Sequence, residues 1–152
     1  MARQPRSVLP PYGAYHVVNR GVERRRIFVD EQDYLLFVGL LRRVVRGFGW
    51  TLYASMLMPN HFHLVVVADL DRLSRGMHRL SFRYAEAFNE RYDRVGHLFQ
   101  GRFGARSLEG EDDLGRVCAY VFDNPVRAGL CEPGERYRWA GGDFLELVSD
   151  LR

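Results

Sequence analysis

The spacing of apolar side chains along the chain predicts seven secondary-structure elements. Three stretches repeat apolar residues every three or four positions, as amphipathic helices do, with stripes that begin at Leu36, Leu73 and Leu114. Four other stretches are rich in β-branched and aromatic residues, a composition that is typical of strands. These predicted strands cover residues 15–19, 50–57, 61–67 and 97–108. The predicted order is strand, helix, strand, strand, helix, strand, helix.

Capping residues and helix breakers indicate where the helices begin and end. Asp30 is suited to cap the first helix, and either Asp71 or Ser74 is suited to cap the second. Pro125 falls within the third helical pattern, and the residue before a proline avoids helical backbone angles. We therefore expect Asn124 at a kink or near the end of the third helix.

The first six elements form the split βαββαβ pattern of a ferredoxin-like fold, an α+β class with two helices on one face of an antiparallel sheet. The remaining helix is then available to cover the opposite face. At 152 residues the chain is long enough for one domain with its own core. Within this single domain, 1–152, we expect residues 1–11 to form a flexible arm and residues 140–152 to form a short tail.

A pair of histidines opens the most apolar of the predicted strands. Pro59 and Asn60 favour a turn, so this strand folds back on the preceding one as an antiparallel hairpin. Alternation places Phe62 on one face of the strand and His61 and His63 on the other. Two imidazoles on one face can converge on a single point, as metal ligands must. The pair therefore predicts a metal site, although two histidines on a half-exposed strand are the plainer interpretation.

The cationic side chains are all arginine, because the chain has 22 Lys and Arg residues together and no lysine among them. Its net charge is +3 and its pI is about 9.1. Arginine pairs with phosphate and stacks on bases, which is compatible with a nucleic-acid partner, but a biased genome composition also replaces lysine by arginine. Arginines in two glycine-containing segments could contact phosphate. These candidate DNA-binding residues are Arg20, Arg24, Arg25, Arg26, Arg102 and Arg106.

One tyrosine, Tyr120, lies off the apolar stripe of the third helix, on a polar side that it shares with Asn124. The two residues are four positions apart and can point the same way. If the two earlier helices cover the Phe62 face, the third helix lies over the histidine face. It then brings Tyr120 and Asn124 over His61 and His63. A partly buried tyrosine that simply packs is the alternative interpretation, and it is the commoner fate of such residues.

Other features of the sequence argue against several classes of protein. The chain has no apolar run of 18 residues and no signal-peptide pattern, so we expect a soluble, intracellular protein without a membrane partner. The two cysteines, Cys118 and Cys131, match no zinc or redox spacing. We interpret them as reduced thiols.

Three motifs that occur in order resemble those of a known family. Residues 58–63 are similar to the HUH motif of single-tyrosine transposases. Residues 96–103 and 120–130 resemble later motifs of the REP-associated branch of these enzymes. The resemblance runs from Tyr15 to about Trp139, and it identifies the chain as similar to the REP-associated tyrosine transposases within the IS200-like family.

The resemblance implies a ferredoxin-like fold and a divalent metal ion, Mg²⁺ or Mn²⁺, held by His61 and His63 with Asn124 as a third ligand. It also implies that Tyr120 is the nucleophile of a single-stranded DNA endonuclease and strand transferase. Such an enzyme forms a 5′-phosphotyrosine, and we expect it to act at or near DNA hairpins. The expected location is the bacterial cytoplasm, in association with the nucleoid. Both a monomer and a homodimer are compatible with the sequence.

Two other functions are compatible with parts of the sequence. A catalytically inactive nucleic-acid-binding domain of ferredoxin-like fold would keep the sheet, as a transposase retained as a binder would. An RNA-recognition sheet gives no reason for the two histidines and Tyr120, and residues 101–105 match its sequence pattern poorly. A metal hydrolase that activates water would form no covalent adduct with DNA.

Overall fold

The computed structural model describes residues 4–143. The seven predicted elements follow one another in the predicted order, and a short strand comes after them. The strands and helices are β1 (Tyr12–Arg20), α1 (Glu31–Phe48), β2 (Thr51–Met58), β3 (His61–Asp69), α2 (Leu70–Arg91), β4 (Gly104–Leu108), α3 (Gly110–Arg127) and β5 (Ala140–Gly141). Two short 3₁₀ turns, Arg6–Val8 and Val22–Arg24, flank β1.

The strands form one antiparallel sheet in the order β4-β1-β3-β2-β5. In the pair formed by β1 and β3, Val18 lies opposite His63 and Arg20 lies opposite His61. Helices α1 and α2 pack on one face of the sheet, and α3 packs on the other. The prediction of an α+β, ferredoxin-like sheet with an added helix on the opposite face is confirmed.

We call the side of the sheet that is covered by α1 and α2 the α1/α2 face, and it holds the larger apolar core. Phe62 of β3 contacts Phe37 of α1 with ring centroids 5.0 Å apart, and Phe37 contacts Tyr84 of α2 at 5.2 Å. All three rings are buried, and the Tyr84 hydroxyl donates a hydrogen bond to the carbonyl of Ile27. Buried aromatic side chains remove large apolar areas from water, so this face supplies most of the hydrophobic stabilisation.

The α3 face, on the other side of the sheet, holds a smaller apolar cluster. Val117 and Val121 of α3 pack in this cluster with Val65 of β3. On the same face, His16 and His63 are buried although they are polar. The alternation along β3 therefore separates the apolar core from the histidines, as the sequence predicts.

The helix ends follow their capping residues, with one difference from the prediction. Asp30 caps α1 as predicted, because its side chain accepts a hydrogen bond from the backbone N–H of Asp33. Helix α2 is capped by Asp69 and not by Asp71 or Ser74. Asp69 is also the last residue of β3, and its carboxylate accepts from the Asp71 N–H at 2.9 Å. The strand therefore passes directly into the helix, whereas the predicted strand end at residue 67 and the predicted caps leave a short loop between them.

The fourth strand is shorter than its sequence pattern predicts. Residues 97–103 form an irregular segment, and β4 begins only at Gly104. The segment is held against the end of β1 by backbone hydrogen bonds such as that from the Gln100 N–H to the Arg20 carbonyl, at 3.0 Å. Its buried apolar side chains give the sequence a strand-like composition without a strand. They are Leu98, Phe99 and Phe103.

Both ends of the described chain differ from the expected arm and tail. The Gln4 N–H donates to the Ala105 carbonyl at 3.1 Å, and Leu9 is buried, so the described part of the arm packs against the sheet. Strand β5 lies within the expected tail and pairs with β2. The sequence predicts no strand there, because two residues carry no periodic pattern. The rest of the expected tail, residues 144–152, lies outside the described residues.

Cys118 is a buried residue of α3, Cys131 is partly buried, and both are free thiols. Burial raises the pKa of the Cys118 thiol to about 11, so it stays protonated near neutral pH.

Among the helices of residues 4–143, none has the length and apolarity that crossing a membrane requires.

Candidate active site

The turn before β3 fixes the position of the first histidine. Pro59 and Asn60 form this turn, and the Pro59 carbonyl accepts a hydrogen bond from the Ile27 N–H at 2.8 Å. The Asn60 side chain donates through Nδ2 to the Arg24 carbonyl at 3.3 Å, and its Oδ1 lies 2.8 Å from His61 Nδ1. An amide oxygen only accepts hydrogen bonds. Neutral His61 therefore carries its proton on Nδ1 and presents the lone pair of Nε2.

The second histidine, His63, lies between two polar partners. Its Nε2 is 2.7 Å from Nδ2 of Asn124, and its Nδ1 is 2.9 Å from Nε2 of His16. Because the amide nitrogen of Asn124 only donates, Nε2 of His63 accepts, and the proton of the neutral ring lies on Nδ1. In both histidines of β3, Nε2 is thus the unprotonated nitrogen.

The surroundings hold all three imidazoles in the neutral form. Burial, followed by the nearby histidines and Arg127, lowers the pKa of His63 to about 2. Burial also lowers the pKa of His16 to about 4. The pKa of His61 is lowered by burial and by Arg20, its neighbour across the strand pair. Neutral imidazole is the form that binds metal ions, so these pKa shifts favour metal ligation near neutral pH.

The donor set around these rings fits a divalent metal ion. His61 and His63 lie on one face of β3 with ring centroids 5.1 Å apart, and Asn124 brings an amide beside Nε2 of His63. Within residues 4–143 no cluster of three His, Cys, Asp or Glu side chains has the arrangement of a metal site. A set of imidazole and oxygen ligands suits Mn²⁺, and Mg²⁺ can also bind where phosphate oxygens are among the ligands.

Tyr120 lies across from the histidines on α3, and its side chain is 42% exposed. The centroid of its ring is 6.5 Å from that of His63. Arg127 stacks on the tyrosine ring with Cζ 4.1 Å from the centroid, and it donates to the Tyr120 carbonyl at 3.1 Å. The same guanidinium pairs with Asp123 at 2.9 Å. Arg127 therefore restricts the orientation of the ring and leaves the ring accessible.

Helix α3 sets Tyr120 and Asn124 on the side that faces the histidines, as the spacing predicts. The helix continues through Pro125 and ends at Arg127, so Asn124 lies in its last turn, near the predicted helix end. The Asn124 carbonyl accepts a hydrogen bond from the Ala128 N–H at 3.0 Å, which fixes this turn. The amide is thereby positioned on a regular element and not on a loop.

The two histidines, Tyr120 and Asn124 line one open cavity of about 640 Å³. Of the predicted DNA-binding arginines, those that also line it are Arg20, Arg24, Arg102 and Arg106. No acidic side chain from the described part of the chain lines this cavity, and Tyr120 is its tyrosine. Arginine side chains suit the binding of a phosphodiester.

The other two predicted DNA-binding arginines, Arg25 and Arg26, lie outside the lining of this cavity. The Arg25 guanidinium lies over an aromatic ring of α2, 5.9 Å from its centroid, and Arg26 donates to the Val29 carbonyl at 3.5 Å. The backbone explains the difference, because Glu23 and Arg24 both adopt left-handed angles, with φ of 55° and 59°. Consecutive arginines therefore leave the loop in different directions.

Three residues that build the site are absent from the sequence-based prediction. They are His16, which contacts His63, Asn60, which orients His61, and Arg127, which stacks on Tyr120. His16 lies on β1, diagonally across the strand pair from His63. A histidine in the neighbouring predicted strand is a signal in the sequence, but only the register of the strands shows that the two rings meet.

Comparison with known families agrees with this geometry. The family model described as "Transposase IS200 like" matches residues 12–124. The chain belongs to the IS200-like transposase family. The predicted membership is thereby confirmed, and the protein is a transposase of the single-tyrosine type.

Two solved structures share the fold of this IS200-like transposase. A REP-associated tyrosine transposase bound to a REP hairpin is 18% identical, with a TM-score of 0.69 over 87% of this chain and 77% of the other. A candidate transposase from Deinococcus radiodurans R1 is 20% identical, with a TM-score of 0.52 over 79% of this chain and 95% of the other. No protein with a curated function matches the chain. At these identities the structural likeness concerns the fold alone.

Proposed function

We propose that this IS200-like transposase cleaves and rejoins single-stranded DNA with Tyr120 as its nucleophile and a divalent metal ion held by His61, His63 and Asn124. The observation that carries the proposal is that these four side chains line the same cavity. The proposed substrate is a single strand at or beside a hairpin. A REP hairpin bound to a transposase of similar fold supports this choice.

The arginines of the cavity are proposed to bind the phosphates on either side of the cleaved bond. Arg20 lies opposite His61 in the strand pair, and its Nε donates to Gln100 Oε1 at 3.0 Å, which holds the guanidinium beside the histidines. Arg102 and Arg106 line the same cavity. Phosphate contacts of this kind fix the position of the backbone without reading its sequence. They would hold a phosphorus atom within reach of Tyr120.

In the proposed reaction the hydroxyl oxygen of Tyr120 attacks phosphorus, a Tyr–O–P bond forms, and the P–O3′ bond breaks. The tyrosine proton leaves to solvent, and the departing 3′ oxygen takes up a proton. The products are a 5′-phosphotyrosine and a free 3′-hydroxyl. The phosphodiester is thereby kept as the link between tyrosine and DNA, and its bond energy is conserved. A 3′-hydroxyl of another strand can reverse the reaction and restore the free tyrosine. When bound, the metal ion polarises the phosphate oxygen and stabilises the charge that develops in the attack.

The test of this function is the substitution Tyr120→Phe, which removes one oxygen and little volume. We expect cleavage and the covalent adduct to fall to background, because the attacking atom is gone. The free energy of unfolding should change by about 1 kcal/mol at most, the scale of one hydrogen bond. The assay incubates hairpin DNA, labelled on the 3′ side of the cleaved bond, with Mn²⁺ and resolves the products on a denaturing gel.

Tyr53→Phe is the matched control, since Tyr53 lies on β2, is partly buried and does not line the cavity. This variant should cleave as the wild type does, and both variants should bind the hairpin with unchanged affinity. An adduct that peptide mapping places on another tyrosine of the Tyr120→Phe variant would refute the assignment of the nucleophile. Cleavage by the wild type without an adduct would favour the metal hydrolase. Hairpin binding without any cleavage would favour the inactive binding domain.

A further inference from the structure

The contact between His16 and His63 joins the middle of the sheet to the candidate metal site. His16 is 3% exposed and lies opposite Val65 and Arg106 in its two strand pairs. Its ring is nearly coplanar with that of His63, with 13° between planes and 5.1 Å between centroids, and the two rings meet edge to edge, with Nε2 of His16 2.9 Å from Nδ1 of His63. A contact this well aligned between two buried rings fixes both the position and the hydrogen-bonding state of His63.

The directions of the two hydrogen bonds of His63 determine which of its ring nitrogens carries the proton. Asn124 donates to Nε2 of His63, so the proton of the neutral His63 ring is on Nδ1 and is donated to Nε2 of His16. With Nδ1 protonated, the lone pair of His63 lies on Nε2, the nitrogen beside Asn124. A side chain at position 16 without an acceptor would leave the Nδ1–H buried and unpaired, which favours the other tautomer. That tautomer has a proton on the nitrogen that a metal ion needs.

We propose that His16 is a positioning residue that holds His63 in the tautomer with Nδ1 protonated and thereby keeps the lone pair of the ring on Nε2, the nitrogen proposed to bind the metal ion. The proposal rests on the proposed function, since it deepens the account of the same metal site. It assigns to His16 the role that the outer partners of metal-bound histidines commonly have, which is to fix the ring and its tautomer. The corresponding partner of His61 is the Asn60 side chain, at 2.8 Å.

The two variants that separate positioning from packing are His16→Gln and His16→Phe. In glutamine, Oε1 stands where Nε2 of histidine does along the side chain and can accept the His63 proton. Phenylalanine keeps a planar ring of similar size for packing and offers no acceptor. A merely structural role of His16 predicts that the ring of phenylalanine substitutes better than glutamine. The positioning role predicts the opposite order.

The first measurement is the tautomer of His63 in the metal-free protein, read from long-range ¹H–¹⁵N spectra of protein labelled in its five histidines. A protonated and an unprotonated ring nitrogen differ strongly in ¹⁵N shift, and loss of one signal set in His63→Ala assigns the ring. We expect Nδ1–H in the wild type and in His16→Gln, and a shift toward Nε2–H in His16→Phe. The second measurement is Mn²⁺ affinity by titration, without DNA. It should fall about 10- to 100-fold in His16→Phe and stay within a few-fold in His16→Gln.

Nε2–H in wild-type His63 would overturn the proposal, and this result needs no variant to fold. A folded His16→Phe protein that keeps the wild-type tautomer and Mn²⁺ affinity would overturn it equally. If the wild type binds no Mn²⁺, the proposed metal site fails, whereas the tautomer of the metal-free protein still reports on the contact with His16. The two failures are therefore distinguishable.

Discussion

The two faces of the sheet contain different kinds of buried side chain. The α1/α2 face is packed with aromatic and aliphatic residues, and one of its tyrosines, Tyr84, is fully buried with its hydroxyl bonded to a backbone carbonyl. The α3 face has a smaller apolar cluster, and beside it three histidines, several amide side chains and Tyr120 line an open cavity. Burial of the polar side chains costs free energy and is offset only by their mutual hydrogen bonds.

This difference follows from the period of a single strand. In β3, successive residues contribute to opposite faces, so Phe62 packs against α1 while His61 and His63 line the cavity. Along β3, no side chain belongs both to the stabilising core and to the lining of the candidate site. We infer that substitutions on β3 should affect either stability or metal binding, depending on the face.

The largest expected effect comes from Phe62→Ala, compared with His63→Ala at the next position. Phe62→Ala removes a fully buried ring from the α1/α2 face and should lower the free energy of unfolding by about 3–5 kcal/mol. The folded variant should keep its Mn²⁺ affinity. His63→Ala should abolish Mn²⁺ binding and cost about 1–2 kcal/mol, the scale of the hydrogen-bonding groups left unpaired. Urea unfolding and Mn²⁺ titration check both quantities.

Equal destabilisation by the two substitutions would show that the faces do not divide the roles. Leu64→Val serves as a milder control, because Leu64 is also fully buried in the core of the α1/α2 face. It should cost about 1 kcal/mol and leave metal binding unchanged.

The sequence predicts the division of β3 well, because alternation is a local property. The faces of Phe62, His61 and His63, the helical cap at Asp30 and the side of α3 that carries Tyr120 each depend on residues that are close in sequence. Their prediction needed no knowledge of how the strands align.

What the sequence does not predict depends on contacts between distant segments or on unusual backbone angles. The contact of His16 with His63 joins β1 to β3 and depends on their register. The segment before β4 has buried apolar residues without strand pairing over most of its length, so composition alone misplaces the start of the strand. Arg24 and Arg26 are two residues apart, but left-handed angles at Glu23 and Arg24 separate their side chains.

A second expected effect is acid destabilisation that originates on the α3 face. The pKa is lowered to about 4 in His16 and about 2 in His63, whereas an unfolded histidine has a pKa of about 6.5. Below pH 6.5 the unfolded chain therefore binds protons that the folded chain does not, and stability present above pH 6.5 is lost as the pH falls. Between pH 7 and pH 5 the loss should be about 2 kcal/mol for each ring. Urea unfolding of the metal-free protein at the two pH values measures it.

His16→Gln removes one of these two rings and should reduce their combined contribution to the pH dependence by about half. Few carboxylates change their protonation state between pH 7 and pH 5, since their ordinary pKa values lie near 4. A wild type whose stability is the same at both pH values would show that these histidines are not held neutral, and it would weaken the comparison of the two faces.

The smallest expected effect compares two arginines of one loop, Arg24 and Arg26. Both side chains are exposed, but Arg24 lines the cavity and Arg26 bonds to the Val29 carbonyl. Arg24→Gln and Arg26→Gln change the net charge equally, so any difference between them reflects position and not total charge. Arg24→Gln should weaken the binding of single-stranded hairpin DNA by roughly fivefold and reduce the salt dependence by about one phosphate contact, and Arg26→Gln should do neither. Fluorescence anisotropy over a range of salt concentrations tests this. Equal losses in both variants would mean that DNA follows the outer surface of the loop, beyond the cavity that Tyr120 and the histidines line.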